Sequence, residues 1–245
     1  MFTLSGMLCG FYSLIQSLNG NFHRAGLFIV IAACFDALDG PVARVTKTSS
    51  SFGIELDSLS DLLSFGLAPA MLAYFWSTKL VDEPRLAWLI PFVFVACGAL
   101  RLARSNADLG IKKKHFTGLP IPAAAGALVS TVMLSQQLMT QSAYTWTNLL
   151  PSLMPGLVLI ISFLMVSTIP YHSLKELDFR QKTPFRILVY FVFILLVTAL
   201  RPELTWFTGF ALYAFSGPLE RALAHGRRVW QPAAHQKANP WSDRS

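Results

Sequence analysis

An all-α polytopic membrane bundle of about eight transmembrane helices, with both termini cytoplasmic, is the architecture this sequence predicts. Composition, the lengths of the apolar stretches and the placement of the basic residues predict it together. Of 245 residues, 53% are hydrophobic and 13% are charged, about half the charged share of a soluble domain. So few charges leave too little polar surface to cover a folded particle in water, which excludes a soluble globular enzyme, a disordered chain and a coiled coil.

The apolar stretches run at about 2–18, 25–43, 54–76, 86–105, 119–139, 149–169, 186–200 and 204–220. Each approaches the length that crosses a hydrocarbon core as a helix. The first has no basic segment ahead of it and no small-residue cleavage site, so it reads as a span and not as a signal peptide. The last two are separated only by Arg201, Pro202 and Glu203. With both ends inside, sixteen of the 20 Lys and Arg fall in cytoplasmic segments, and only Arg24, Lys79, Arg85 and Arg201 fall outside. That bias is the positive-inside pattern. One membrane domain over 1–222 and a polar, basic cytoplasmic tail over 223–245 follow.

The net charge of +7 then faces anionic headgroups and not nucleic acid. Cys9, Cys34 and Cys97 lie in apolar runs without a CxxC pair, so they read as small buried side chains and not as zinc or disulfide partners. The five histidines are scattered, without metal-ligand spacing.

The chemistry is concentrated in two segments, Asp36-Ala-Leu-Asp39-Gly40-Pro-Val-Ala43-Arg44 and Gly53-Ile-Glu-Leu-Asp57-Ser-Leu-Ser-Asp61. On helices, Asp36 and Asp39, and likewise Asp57 and Asp61, share a face one turn apart. Two antiparallel spans joined by a short cytoplasmic loop bring both pairs to a similar depth. Four carboxylates are expected to converge there. Each ionised Asp within a membrane span costs roughly 2.5–3.5 kcal/mol, and the four repel one another. Two divalent cations would cancel that charge, and an all-carboxylate ligand set selects Mg²⁺ or Mn²⁺ over zinc. Gly40, Ala43 and Gly53 allow close approach of a bulky group, and Arg44 can fork onto a phosphate.

These residues read D-x2-D-G-x2-A-R-x8-G-x3-D-x3-D, which resembles the signature of the CDP-alcohol phosphatidyltransferases. Members of that family are membrane enzymes that transfer a phosphatidyl group from CDP-diacylglycerol to an alcohol and release CMP. The resemblance implies that Asp36, Asp39, Asp57 and Asp61 hold two metal ions, with Asp61 also the base for the acceptor hydroxyl. It implies that Gly40, Ala43, Arg44 and Gly53 surround the cytidine and pyrophosphate. It also implies a homodimer. No evident nucleophile lies in the motif, which favours direct displacement over a phosphatidyl-enzyme.

The segments Arg101-Leu-Ala-Arg104-Ser-Asn106, Phe116 to Gly126 and Leu164 to Ser167 are similar to those of the membrane-embedded phosphatidylserine synthases (CDP-diacylglycerol–serine O-phosphatidyltransferases). That similarity extends over roughly residues 2–186 and implies L-serine as acceptor. Two departures stand out. Ser105 occupies a position usually aromatic in that subfamily, and the amphipathic segment common before the first span is absent. Arg101 and Arg104 share a face at the cytoplasmic end of the fourth span, where they either snorkel to headgroups or one of them binds the serine carboxylate, with Asn106 available for a further hydrogen bond. The same chemistry with glycerol 3-phosphate or inositol as acceptor is the near alternative. An ion-coupled transporter is the distant one, disfavoured because no matching acid pair occurs in a second half of the chain. The reading places the active site at the cytoplasmic face of the inner or plasma membrane, in phospholipid biosynthesis.

Overall fold

A computed structural model describes residues 2–46, 51–78, 87–107, 116–141, 146–171, 197–198 and 201–229. The regular structure in these residues is helical except for one two-residue β-ladder. The helices are α1 (Phe2–Leu18), α2 (Phe22–Thr46), α3 (Ser51–Asp61), α4 (Ala68–Ser77), α5 (Leu89–Ala107), α6 (Ile121–Gln141), α7 (Trp146–Val166) and α8 (Pro202–Val229). A π-helical segment, Leu62–Leu67, joins α3 to α4. Among the described residues three helices are long and apolar enough to cross a membrane: Phe52–Ser77, which runs through α3, the π segment and α4, then Leu89–Ala107 and Ile121–Met139. Phe2–Leu18 and Leu150–Val166 are shorter apolar helices.

The expected stretches at 2–18, 25–43, 54–76, 86–105, 119–139, 149–169 and 204–220 each coincide largely with a described helix. The stretch at 186–200 lies outside the described residues, apart from 197–198. Helix α8 continues to Val229, so the first residues of the expected polar tail extend a helix.

Helix α1 meets its neighbours through small and polar residues, burying Gly6, Gly10, Ser13, Gln16 and Ser17, while Leu4, Leu8, Phe11 and Leu18 face outward. In lipid such an outward face costs nothing, and small residues let helix backbones approach closely. Gly10 shows how closely: a Cβ there would lie 2.5 Å from Ser64 Oγ and 2.8 Å from Ser64 Cα. The α1–α2 connection is closed by Asn21, whose Nδ2 donates to Gln16 Oε1 at 3.0 Å and whose carbonyl accepts from the Ala25 amide at 2.9 Å.

The π segment has a local cause. Pro69 stands at the start of α4, so it has no N–H to give to the carbonyl four residues back, and its ring crowds that turn. The Ala68 amide bonds instead to the Leu63 carbonyl, five residues back. Such widened turns recur at functional sites, and this one follows directly on Asp61.

The core is formed where α6 packs against α2, α4, α7 and α8. Phe65, Leu72, Phe94, Leu119, Ile121, Leu128, Met154 and Met165 are its fully buried large side chains. At the end of α5 nearest the acids, Phe116–Thr117 (β1) pairs antiparallel with Pro170–Tyr171 (β2). Gly118 follows at φ +83°, its amide donating to the Ile169 carbonyl at 2.9 Å. A Cβ at Gly118 would lie 2.2 Å from the Met165 carbonyl oxygen, and the left-handed backbone itself disfavours any side chain. Gly118→Ala is therefore expected to lower stability by more than about 1 kcal/mol, read as a several-degree drop in the thermal unfolding midpoint of purified protein in detergent.

Candidate active site

The acids of α2 and α3 meet. Asp36, Asp57 and Asp61 each present a carboxylate oxygen, and these oxygens lie within 4.8 Å of one another. All three side chains are half-buried, and Asp36 and Asp57 are within electrostatic reach of Asp61. They line a small pocket of about 10 Å³ whose other walls include Phe2, Thr3, Gly6, Ser60 and Ser64. Asp39 stands beside this triplet. Its carboxylate accepts a hydrogen bond from Thr3 Oγ1 and lies within electrostatic reach of Asp57.

Gly40, Ala43 and Arg44 lie on the last turns of α2, and their side chains are outside the described residues. Gly53 is exposed on the first turn of α3, one helical turn before Asp57.

Helix geometry accounts for the arrangement on α3. Successive side chains turn by about 100°, so Asp57 and Asp61 point within about 40° of each other. Ser60 falls about 60° to one side of Asp57 and Ser58 about 100° to the other. Each flank is tied to a neighbouring helix. Ser60 Oγ donates to the Thr3 carbonyl at 3.1 Å, and Ser64 Oγ donates to the Gly6 carbonyl at 3.2 Å. On the opposite flank, Asn106 Nδ2 donates to Ser58 Oγ at 2.9 Å. Sequence reasoning passed over Thr3, Ser58, Ser60 and Ser64. The serines did alternate with the acids along one helix, but the partners that give them meaning belong to other helices.

Positive charge comes from α5. Arg101 is half-buried, lies within electrostatic reach of Asp61 and of Tyr213 on α8, and its buried Nε has no hydrogen-bond partner among the described residues. A buried guanidinium N–H in that condition is costly unless something accepts from it, and an anionic ligand fits that need. Arg104, expected on the same face, is exposed and donates to the Val166 carbonyl at 3.2 Å. Of the three residues expected at the acceptor, Arg101 thus faces the acids, Arg104 reaches the end of α7, and Asn106 reaches α3. Tyr213 was not anticipated, since nothing in its local sequence marks it.

The donor set fits a divalent cation. Three carboxylate oxygens at this separation offer hard ligands on one side of a partly enclosed cavity, and no histidine or cysteine belongs to the group.

The family model described as CDP-alcohol phosphatidyltransferase matches residues 1–166. The chain is 34% identical to a CDP-diacylglycerol–serine O-phosphatidyltransferase of Helicobacter pylori, over 78% of each chain. It is 38% identical to an archaetidylserine synthase of Methanothermobacter thermautotrophicus, over 66% of this chain and 64% of that one. It is 40% identical to a CDP-diacylglycerol–serine O-phosphatidyltransferase of Bacillus subtilis, over 53% of this chain and 71% of that one. The matched region takes in the whole acid cluster and Arg101, and ends with α7.

If the triplet binds metal, Mn²⁺ titrated into the purified protein will give a saturable loss of its free paramagnetic resonance signal. Asp36→Asn is expected to weaken that binding by at least about tenfold, because a first ligand is worth no less than an outer partner.

Proposed function

The chain belongs to the CDP-alcohol phosphatidyltransferase family, and we propose that it transfers the phosphatidyl group of CDP-diacylglycerol to the hydroxyl of L-serine, giving phosphatidylserine and CMP. The observation that carries the acceptor is the common element in the relatives' names. Two are serine O-phosphatidyltransferases and one an archaetidylserine synthase, so serine recurs where the named lipid differs. The buried, unpartnered Nε of Arg101 beside Asp61 supports a carboxylate-bearing acceptor.

Asp36, Asp57 and Asp61 would hold divalent metal, with Asp39 completing a two-ion Mg²⁺ or Mn²⁺ site. Such ions neutralise a pyrophosphate and stabilise charge on the oxygens being made and broken. Asp61 is the general base. As the serine oxygen bonds to the phosphorus of the phosphatidyl group, Asp61 takes the hydroxyl proton, and the bond from that phosphorus to CMP breaks. Gly40, Ala43, Arg44 and Gly53 surround the cytidine and pyrophosphate at the open ends of α2 and α3. Arg101 binds the serine carboxylate by a charge-assisted pair, with Arg104 and Asn106 on the same stretch of α5 walling the acceptor pocket.

The donor's acyl chains stay in the bilayer while its head enters the acid cavity. The proposed topology is eight spans with both termini cytoplasmic and the site at the cytoplasmic face of the inner or plasma membrane. The transmembrane domain covers 1–222, the basic tail 223–245, and the active form is a homodimer.

Purified protein in vesicles, given CDP-diacylglycerol, metal and each alcohol separately, is expected to release CMP fastest with serine. Faster release with glycerol 3-phosphate or inositol would refute the acceptor. Asp61→Asn should cut turnover by at least about a hundredfold while CDP-diacylglycerol still binds, and near-normal rates would remove Asp61 as base. Arg101→Ala should raise the serine KM by about tenfold or more with a smaller change for the donor. The opposite pattern would put that guanidinium on the donor phosphates.

A further inference from the structure

Helix α5 packs against the π segment that follows α3 and reaches α3 itself near its end. Gly98 lies opposite Leu62 of the π segment, Arg101 is within electrostatic reach of Asp61, and Asn106 reaches Ser58. The Ser58 hydroxyl both accepts and donates: it accepts from Asn106 and gives its proton to the Ile54 carbonyl at 3.1 Å. Both partners are half-buried, where a hydrogen bond is less exposed to competition from water.

Along α3 the two acids lie between anchored stripes. On the α1 side, Ser60 and Ser64 are 6% and 2% exposed and bond to backbone carbonyls, acceptors that no side-chain movement can withdraw. On the α5 side, the Ser58 bond is made by an amide on a rotatable side chain. Rotation of α3 by even a fraction of a residue would carry Asp57 and Asp61 away from Asp36. The bond between Asn106 and Ser58 opposes that rotation.

From this geometry we infer that Asn106 is a positioning residue for the acid cluster: by donating to Ser58 it fixes the rotation of α3, so that Asp57 and Asp61 face Asp36. This rests on the reading of those acids as metal ligands, and it gives Asn106 a task beyond the wall of the acceptor pocket.

The test uses the full chain in detergent, with Mn²⁺ affinity read by paramagnetic resonance and serine KM by CMP release. Asn106→Ala and Ser58→Ala should each weaken Mn²⁺ binding by about tenfold, the effect typical of partners that orient a ligand. The double variant should be no weaker than either single one, because both remove the same bond. Ser58→Thr, which keeps the accepting oxygen, should restore the affinity. Three results would overturn the inference: multiplicative losses in the double variant, a raised serine KM with Mn²⁺ affinity intact, or a fall in thermal stability alone. A parent protein that binds no Mn²⁺ would refute the metal reading itself, whereas a binding parent with unaffected variants refutes only the role of Asn106.

Discussion

Mutual repulsion among carboxylates held close together in a partly buried pocket is the constraint on which the rest of this structure turns. Asp36, Asp57 and Asp61 lie close enough for their oxygens to share one small volume, with Asp39 alongside. Left to themselves, the two helices that carry them would part or rotate. The local architecture answers that tendency from several directions. Arg101 supplies opposite charge from α5, Thr3 donates to Asp39, and the serines of α3 and the π segment tie them to α1 and α5.

These devices differ in kind, and the difference bears on function. Bonds from Ser60 and Ser64 to α1 carbonyls are matched by a close helix approach at Gly10, so that side of α3 behaves as one rigid packing unit. The π segment after Asp61 is fixed by a proline that cannot donate. Arg101 differs again, because part of its hydrogen-bonding capacity is buried and unanswered. A site that must receive an anion benefits from a cation whose pairing with the protein is incomplete, since binding then supplies the missing acceptor. Rigid acids beside an under-satisfied guanidinium suit a reaction that joins a phosphate-bearing donor to a carboxylate-bearing acceptor.

The match to the CDP-alcohol phosphatidyltransferase family covers the first two-thirds of the chain, up to the end of α7. Beyond it, α8 packs on α6 and brings Tyr213 to within electrostatic reach of Arg101. The region outside the family match thus still touches the group proposed to read the acceptor. The β1–β2 ladder and Gly118 lie nearby, linking the segment after α5 to the segment after α7.

The sequence by itself determined the helical membrane character, the positions of most helices, and the identity and one-face spacing of the acids. All of these are local: hydropathy over one span and i, i+3 or i, i+4 periodicity need no knowledge of a neighbour. Tertiary structure alone decided which acids meet. Asp39 is set beside the triplet because the rotation of α2 against α1 brings it to Thr3, and spacing within α2 cannot reveal that. The same holds for Arg101 and Arg104, which share a face on their own helix yet are divided between Asp61 and Val166 by the angle at which α5 crosses its neighbours. Ser58 was indistinguishable from a spacer, and Asn106 was expected at the acceptor and not on α3, because a hydrogen bond 48 positions apart in the chain leaves no periodic trace in either segment.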